Sequence, residues 1–157
     1  MTKKQMKKQT KRQSGFTLVE LMVVIVIIGL LASVVGVNVI GYIAKAKEKT
    51  AQVQIKIFHN AVKLYKLDTG QYPDNSMGLE ALVEQPAGLI GWNTDGYLDG
   101  ASQIPLDPWR YPYEYQYPGE YAVYDIFSLG ADGNDGGEDE DADIYNSDVV
   151  SAESLEQ

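Results

Sequence analysis

Cysteine is absent from the 157 residues. That excludes a disulfide framework, a thiolate zinc site and a cysteine nucleophile. Histidine is nearly absent as well: His59 is the only one, with no Ser-His-Asp constellation and no glycine-rich phosphate loop around it. It lies in an amphipathic stretch and reads as a surface or packing residue without an assigned role. Basic residues are scarce beyond Lys66, where Arg110 stands alone. The first fifteen residues carry six Lys/Arg and no acid, whereas the remainder sets seven basic residues against 22 acidic ones, a net charge of −15. Such a surface repels phosphate backbones, which excludes nucleic acid as its partner, and it suits a divalent cation. The carboxylates cluster in one glycine-rich loop rather than in a formed cleft, so no catalytic residue is assigned and the chain is not read as an enzyme.

What is present begins with a basic start followed by an apolar run. From Leu21 to Val37 nothing is more polar than Gly and Ser, and the run extended to Phe16 and Ile43 covers 28 residues. As helix that is about 42 Å, more than the ~30 Å hydrocarbon core of a bilayer. It is too long for the apolar part of an ordinary secretory signal, and no A-x-A-like site follows it. Six positive charges on its N-terminal side orient that side to the cytoplasm and the bulk of the chain outside it. Hydropathy alone reads as a plain single-pass anchor.

The residues "SGFTLVELMVVIVIIGLLA" resemble the class III signal of type IV prepilins: a basic leader, then Gly15, Phe16, Thr17, Leu18 and Glu20 at the motif positions. The resemblance implies cleavage between Gly15 and Phe16 by a membrane-embedded prepilin peptidase, and N-methylation of Phe16. It also gives Glu20 a purpose. A carboxylate inside hydrocarbon costs at least a few kcal/mol unless it is paired. In the resembled family its partner is the freed α-amino group of a neighbouring subunit, so Glu20 sets the register of assembly. The plainer alternative leaves Glu20 at the membrane interface, meeting water.

Past Ile43 the pattern turns amphipathic. Ala51, Ile55, Phe58, Val62 and Tyr65 are spaced 4, 3, 4, 3, one face of a helix. Thr69-Gly70 and then Pro73 supply the stop, so one helix is expected over 16–68, about 80 Å long. Its first half is apolar all round and its second half has one face for a core. Between 104 and 130, aromatic and polar residues alternate through Tyr111, Tyr113, Tyr115 and Tyr117, then Pro118-Gly119, then Tyr121 and Val123. Period-two alternation about Pro-Gly predicts a β-hairpin, with a third short strand starting near Ile126. "GLEALVEQP" (78–86) reads as a short helix or turn. The predicted architecture is α+β: a long N-terminal helix, transmembrane and then amphipathic, packed on a small antiparallel β-sheet.

The order "TGQYP…GLEAL…GW…GYL…IPLDPWRYPYEY…PG…YDIFSLGADG…GGEDEDADI" closely resembles the major pseudopilin family of type II secretion systems, the general secretion pathway protein G family, which is type IV pilin-like. The likeness runs from Ser14 to about Asn146. One departure lies at 107–113, where Arg110-Tyr111 stand in place of the family's usual Gly-Asn, so the local turn is expected to differ. The resulting division is a leader over 1–15, the membrane and filament-core half of the helix over 16–43, and a periplasmic globular domain over 44–146. The segment 147–157 has no readable pattern and is expected to be disordered.

Seven acids crowd Asp132–Asp143, with four glycines in 128–144. Like charges this close repel unless neutralised, and hard oxygen ligands on a flexible loop suit Ca²⁺. Asp132, Asn134, Gly137 and Asp143 also fall at EF-hand positions 1, 3, 6 and 12, but Gly136 fails position 5, Asp143 is not Glu, and the flanks do not read as helices. By composition alone a solvated acidic loop fits as well. The pseudopilin resemblance implies one Ca²⁺ in this C-terminal loop. Carried over by position, its ligands are the Leu129 carbonyl, Asp132 and Asp139, with Asp141 and Asp143 as further candidates, and the ion closes the loop onto the sheet as a disulfide would.

The resemblance thus implies a structural subunit, single-pass in the inner membrane with its C-terminal domain in the periplasm. It would polymerise as a helical homo-oligomeric filament, the pseudopilus, together with minor pseudopilins, an inner-membrane assembly platform and the prepilin peptidase, and so support export of folded proteins. The alternative is the major subunit of a surface type IV pilus. Those pilins usually end in a disulfide-bounded loop, so the missing cysteine favours the pseudopilin.

Overall fold

The computed structural model describes residues 15–154, without the side chains of 33–40 and 152–154. The chain divides into two compact units between Ile40 and Gly41. Helix α1 spans Leu18–Thr69. In the first unit its apolar side chains from Leu18 to Leu31 are exposed on all sides, as expected of a helix that finds its packing outside the single chain. Among the described residues no helix is long and apolar enough to cross a membrane. The predicted run 16–43 includes 33–40, whose side chains lie outside that description.

The second unit is built on the other half of α1. Ala51, Ile55, Phe58, Val62 and Tyr65 are all buried, so the 4-3-4-3 spacing does mark the core face. The helix stops where the sequence predicts: Gly70 takes φ 79°, and its N–H reaches the Lys66 carbonyl at 3.0 Å. Glycine reaches this left-handed conformation without a Cβ penalty, which is why it ends helices. A 3₁₀ turn follows at Gly78–Leu82 and adds Leu79, Ala81 and Leu82 to the core.

The sheet has three antiparallel strands in the order β1 (Glu114–Gln116), β2 (Asp125–Ser128), β3 (Ile144–Tyr145). The register pairs Tyr115 with Ile126 and Phe127 with both Glu114 and Tyr145. Ile126, Ser128 and Ile144 therefore turn inward, and Glu114, Phe127 and Tyr145 turn outward. Phe58 meets the Tyr113 ring edge-on at 5.0 Å, and the Tyr113 hydroxyl bonds Gln54. The Tyr124 hydroxyl lies 3.0 Å from His59 Nδ1 and 3.3 Å from its carbonyl oxygen, while His59 Nε2 is buried without a partner.

Two expectations are corrected. The strand after Pro118-Gly119 does not begin at Tyr121 but at Asp125. The buried Asp125 carboxylate accepts the N–H groups of Glu120 (2.6 Å), Tyr121 (3.0 Å) and Ala122 (3.0 Å), so residues that alternate like a strand are gathered into a turn instead. Of the segment 147–157 predicted to be disordered, 147–154 lies in helix α2, Asn146–Ser154, and 155–157 lies outside the described residues. Its first residue is buried and fastened: Asn146 Oδ1 accepts the Ile126 N–H at 3.0 Å, and Asn146 Nδ2 donates to the Tyr124 carbonyl at 3.1 Å. Val149 then packs on the core.

Candidate functional site

The N-terminal site is Gly15, Phe16 and Glu20. Phe16 is 83% exposed, and a Cβ added at Gly15 would meet nothing within 4 Å. Among the described residues nothing in the packing requires glycine there. Glu20 is engaged: its Oε2 accepts the Thr17 N–H at 2.8 Å and the Thr17 hydroxyl at 2.9 Å, while the Glu20 N–H donates to Thr17 Oγ1 at 3.2 Å. This is a capping box, in which the first N–H groups of a helix, lacking carbonyls to bond, are satisfied reciprocally. Its signature, Thr followed by Glu three residues later before an apolar run, was legible in the sequence, which was read there for assembly alone.

The second site is the acidic loop between β2 and β3. Leu129 leaves β2 half-buried. Asp132 is exposed and folded on its own backbone, with Oδ1 accepting the Asn134 N–H at 3.0 Å. Asp139, at φ 56°, and Asp141 lie in an exposed 3₁₀ turn, Asp139–Asp141. That turn is clamped from inside: a Cβ on Gly137 would fall 2.4 Å from the Asp141 carbonyl oxygen and one on Gly130 2.8 Å from it, so glycine alone permits the approach. Asp143 Oδ2 accepts the Gly136 N–H at 3.0 Å, and Asp143 Oδ1 is buried with no hydrogen-bond partner. Among the described residues no three acidic side chains converge into a group that could hold a metal. The loop thus brings Asp143 and the Asp141 backbone inward and leaves Asp132 and Asp139 turned out. It faces α1 across a groove of about 450 Å³, lined by Lys45, Glu48, Gln52, Trp109, Asp139 and Asp143 among others.

The loop is footed on a turn that sequence reasoning undervalued. Buried Asp107 accepts the Trp109 and Tyr111 N–H groups at 3.0 and 2.8 Å through Oδ1, and the Ser128 hydroxyl at 2.6 Å through Oδ2. The turn so held presents Tyr111, whose ring lies against Gly133. The clue was the pairing of Asp107 with Pro108 before a run of N–H donors.

The sequence profile described as "Type II secretion system (T2SS), protein G" matches residues 38–147, and that of the prokaryotic N-terminal methylation motif matches 10–36. The chain belongs to the type II secretion system protein G family. A type II secretion system core protein G of Pseudomonas aeruginosa is 48% identical over 141 residues, 88% of this chain and 97% of that protein. One of Vibrio cholerae is 44% identical over 141 residues, 88% of this chain and 94% of that protein. The crystal structure of the major pseudopilin from the type 2 secretion system of enterohaemorrhagic Escherichia coli superposes with a TM-score of 0.60 at 33% identity, covering 71% of this chain and 95% of that one. Arg110 adopts φ 79°, the backbone that glycine would take without strain, so the turn keeps a glycine-type geometry around an arginine.

Proposed function

We propose that this chain is the structural subunit of a periplasmic pseudopilus in a type II secretion system, acting in export of folded proteins rather than in catalysis. Membership of the protein G family carries this reading. The leader over 1–15 would be removed between Gly15 and Phe16 by a prepilin peptidase, with N-methylation of Phe16. The match to the methylation motif supports this, as does a glycine that local packing does not require. The apolar half of α1 would anchor the subunit in the inner membrane with its second unit in the periplasm, and would then enter the filament core. Minor pseudopilins and an inner-membrane assembly platform are the implied partners. Glu20 would leave its bond to Thr17 for the α-amino group of a neighbouring subunit.

The acidic loop is read as a calcium site. The donor set fits a hard cation, and the partnerless buried oxygen of Asp143 supports it: an ionised oxygen left without a donor is costly, and a cation relieves it. The Leu129 carbonyl, Asp132, Asp139, Asp141 and Asp143 are the proposed ligands; Asp132 and Asp139, turned out in this structure, would swing inward to join Asp143 on the ion, which would close the loop on the sheet.

The test compares the secreted proteins of the source cell with and without the gene, complemented by wild type or by Glu20→Ala. Periplasmic retention of folded enzymes, relieved by wild type alone, is the expected result. Unchanged export with loss of surface filaments would make this a pilus subunit instead.

A further inference from the structure

Aspartate followed by glycine is a dipeptide prone to rearrange on its own. The glycine nitrogen attacks the aspartate side-chain carboxyl, and no Cβ on the glycine obstructs the approach. The chain has four such pairs, Asp95-Gly96, Asp99-Gly100, Asp132-Gly133 and Asp135-Gly136, all outside helices and strands. The fold holds three of them back. The Gly96 N–H donates to the Asn93 carbonyl at 2.8 Å, and the Gly136 N–H donates to Asp143 Oδ2 at 3.0 Å. A nitrogen so bonded must break free before it can turn on the neighbouring carboxyl. Asp132 has its Oδ1 on the Asn134 N–H at 3.0 Å, and a Cβ on Gly133 would fall 2.8 Å from two atoms of the Tyr111 ring. Closing an imide there needs the peptide to rotate, and the ring stands against it. Asp99-Gly100 has none of these restraints. Both residues are exposed. Among the described residues nothing hydrogen-bonds the Gly100 N–H or the Asp99 carboxylate. A Cβ on Gly100, which sits at φ 66°, would meet nothing within 4 Å. The pair takes the two central positions of a turn closed by the Ala101 N–H on the Leu98 carbonyl at 3.2 Å.

We propose that Asp99 is a self-modification site, at which the folded chain converts aspartate to isoaspartate. The Gly100 nitrogen bonds to Asp99 Cγ, and one carboxyl oxygen leaves as water, taking the nitrogen's proton and one from solvent. The five-membered imide then adds water at either carbonyl and returns a proton to solvent. Opening on the Cγ side restores aspartate. Opening at the former peptide carbonyl leaves isoaspartate, whose main chain runs through Cβ and Cγ and is one atom longer. The original carbonyl becomes a free α-carboxylate. The residues just before the site are anchors: Leu98 is 6% exposed, and the Tyr97 ring meets Tyr65 at 5.4 Å and Trp92 at 5.9 Å. The added atom breaks the geometry of the turn that Ala101 closes, so the loop loosens beside those anchors. Neither a filament contact nor calcium takes part, so the site stands or falls independently of both.

The test ages the purified full chain in detergent micelles in H₂¹⁸O at neutral pH. Each imide cycle leaves one ¹⁸O at the aspartate, and peptide fragmentation assigns the labelled residue. In the folded chain Asp99 should take up label roughly ten times faster than Asp95, Asp132 or Asp135, and in urea all four should label alike, since local structure is what separates them. Isoaspartate is read separately, as methyl groups transferred from S-adenosylmethionine by an isoaspartyl methyltransferase. That signal should rise with the label at Asp99. In Asp99→Glu, whose six-membered imide closes far more slowly, it should fall to the level set by the other three pairs. Tyr111→Ala should speed labelling at Asp132 and leave Asp99 unchanged. Labelling of Asp99 no faster than the other three in the folded chain would overturn the proposal. A preference for Asp99 that persists in urea would overturn it too, because it would come from the neighbouring residues and not from the fold.

Discussion

Glu20 and Thr17 cap each other at the start of α1, with Thr17 giving its N–H and hydroxyl to one carboxylate oxygen at 2.8 and 2.9 Å. The carboxylate proposed to meet a neighbour's amine in a filament is therefore already satisfied in the single chain. Assembly would exchange one good partner for another, and the charge would not stand bare in the meantime.

This separates two roles that a single alanine variant confuses. Glutamine also serves at the third helical position of a capping box. Glu20→Gln should keep the helix start and lose the charge, whereas Glu20→Ala loses both. We expect both variants to fail in filament assembly. By amide hydrogen exchange, only Glu20→Ala should show faster exchange in the first turn, consistent with a cap of about 1 kcal/mol. Assembly by Glu20→Gln at the wild-type level would assign the residue to capping alone.

Arg110 holds φ 79° with its side chain exposed, so the side chain offers little in return for the backbone strain. A non-glycine residue in this region costs of order 1–2 kcal/mol, and glycine gives back part of that through its looser unfolded state. Arg110→Gly should therefore stabilise the second unit by about 1 kcal/mol and raise its melting midpoint by roughly 4 °C. A lower midpoint on calorimetry would mean that the guanidinium makes a contact worth more than the strain.

How much of this was legible follows the kind of bond involved. The core face of α1 was readable because Ala51, Ile55, Phe58, Val62 and Tyr65 repeat with the helical period, and burial follows that period. The stop at Gly70 was readable because glycine and Pro73 act locally. The start of β2 was not, because Asp125 bonds three backbone N–H groups, and backbone donors look alike in every sequence. The same holds for Asp107 and for Asn146, whose partners are set by the fold. Helix α2 was missed because its sequence, NSDVVSAES, has no apolar stripe to read, and it is held by Val149 on the core and by the hydrogen bonds of Asn146. In the loop the acids were legible as a group. Which of them turn inward was not, since that depends on where Gly130 and Gly137 let Asp141 approach.

His59 was given no role, yet its ring is half-buried against Tyr124, and its Nε2 has no partner. Burial first, and the positive charge of Lys63 second, push its pKa below the ordinary 6.5. Protonation would place an N–H where nothing accepts it. The unfolded chain binds that proton more readily, so this contribution to stability is complete above about pH 6.5 and falls away as the pH drops below it. Urea midpoints from pH 7.5 downward should decline faster for wild type than for His59→Gln. Equal slopes would show that the carboxylates alone govern the acid limb.

Calcium should act on the loop by mass action. An ion that binds the folded chain alone stabilises it by RT ln(1 + [L]/Kd), about 2.7 kcal/mol at a hundredfold excess over Kd. The purified chain should melt several degrees higher in millimolar calcium than in chelator. Asp143→Asn should abolish most of that difference, because the buried Oδ1 is the atom that lacks a partner without the ion. Glu140→Gln, at an exposed position outside the proposed ligand set, should retain it. Removing one negative charge from a crowded loop could by itself stabilise the calcium-free state, and Glu140→Gln controls for that, since it removes the same charge. If both variants narrow the calcium difference equally, the ion is only screening the loop. If wild type melts alike with and without chelator, Asp143 Oδ1 is satisfied in some other way and the calcium reading fails.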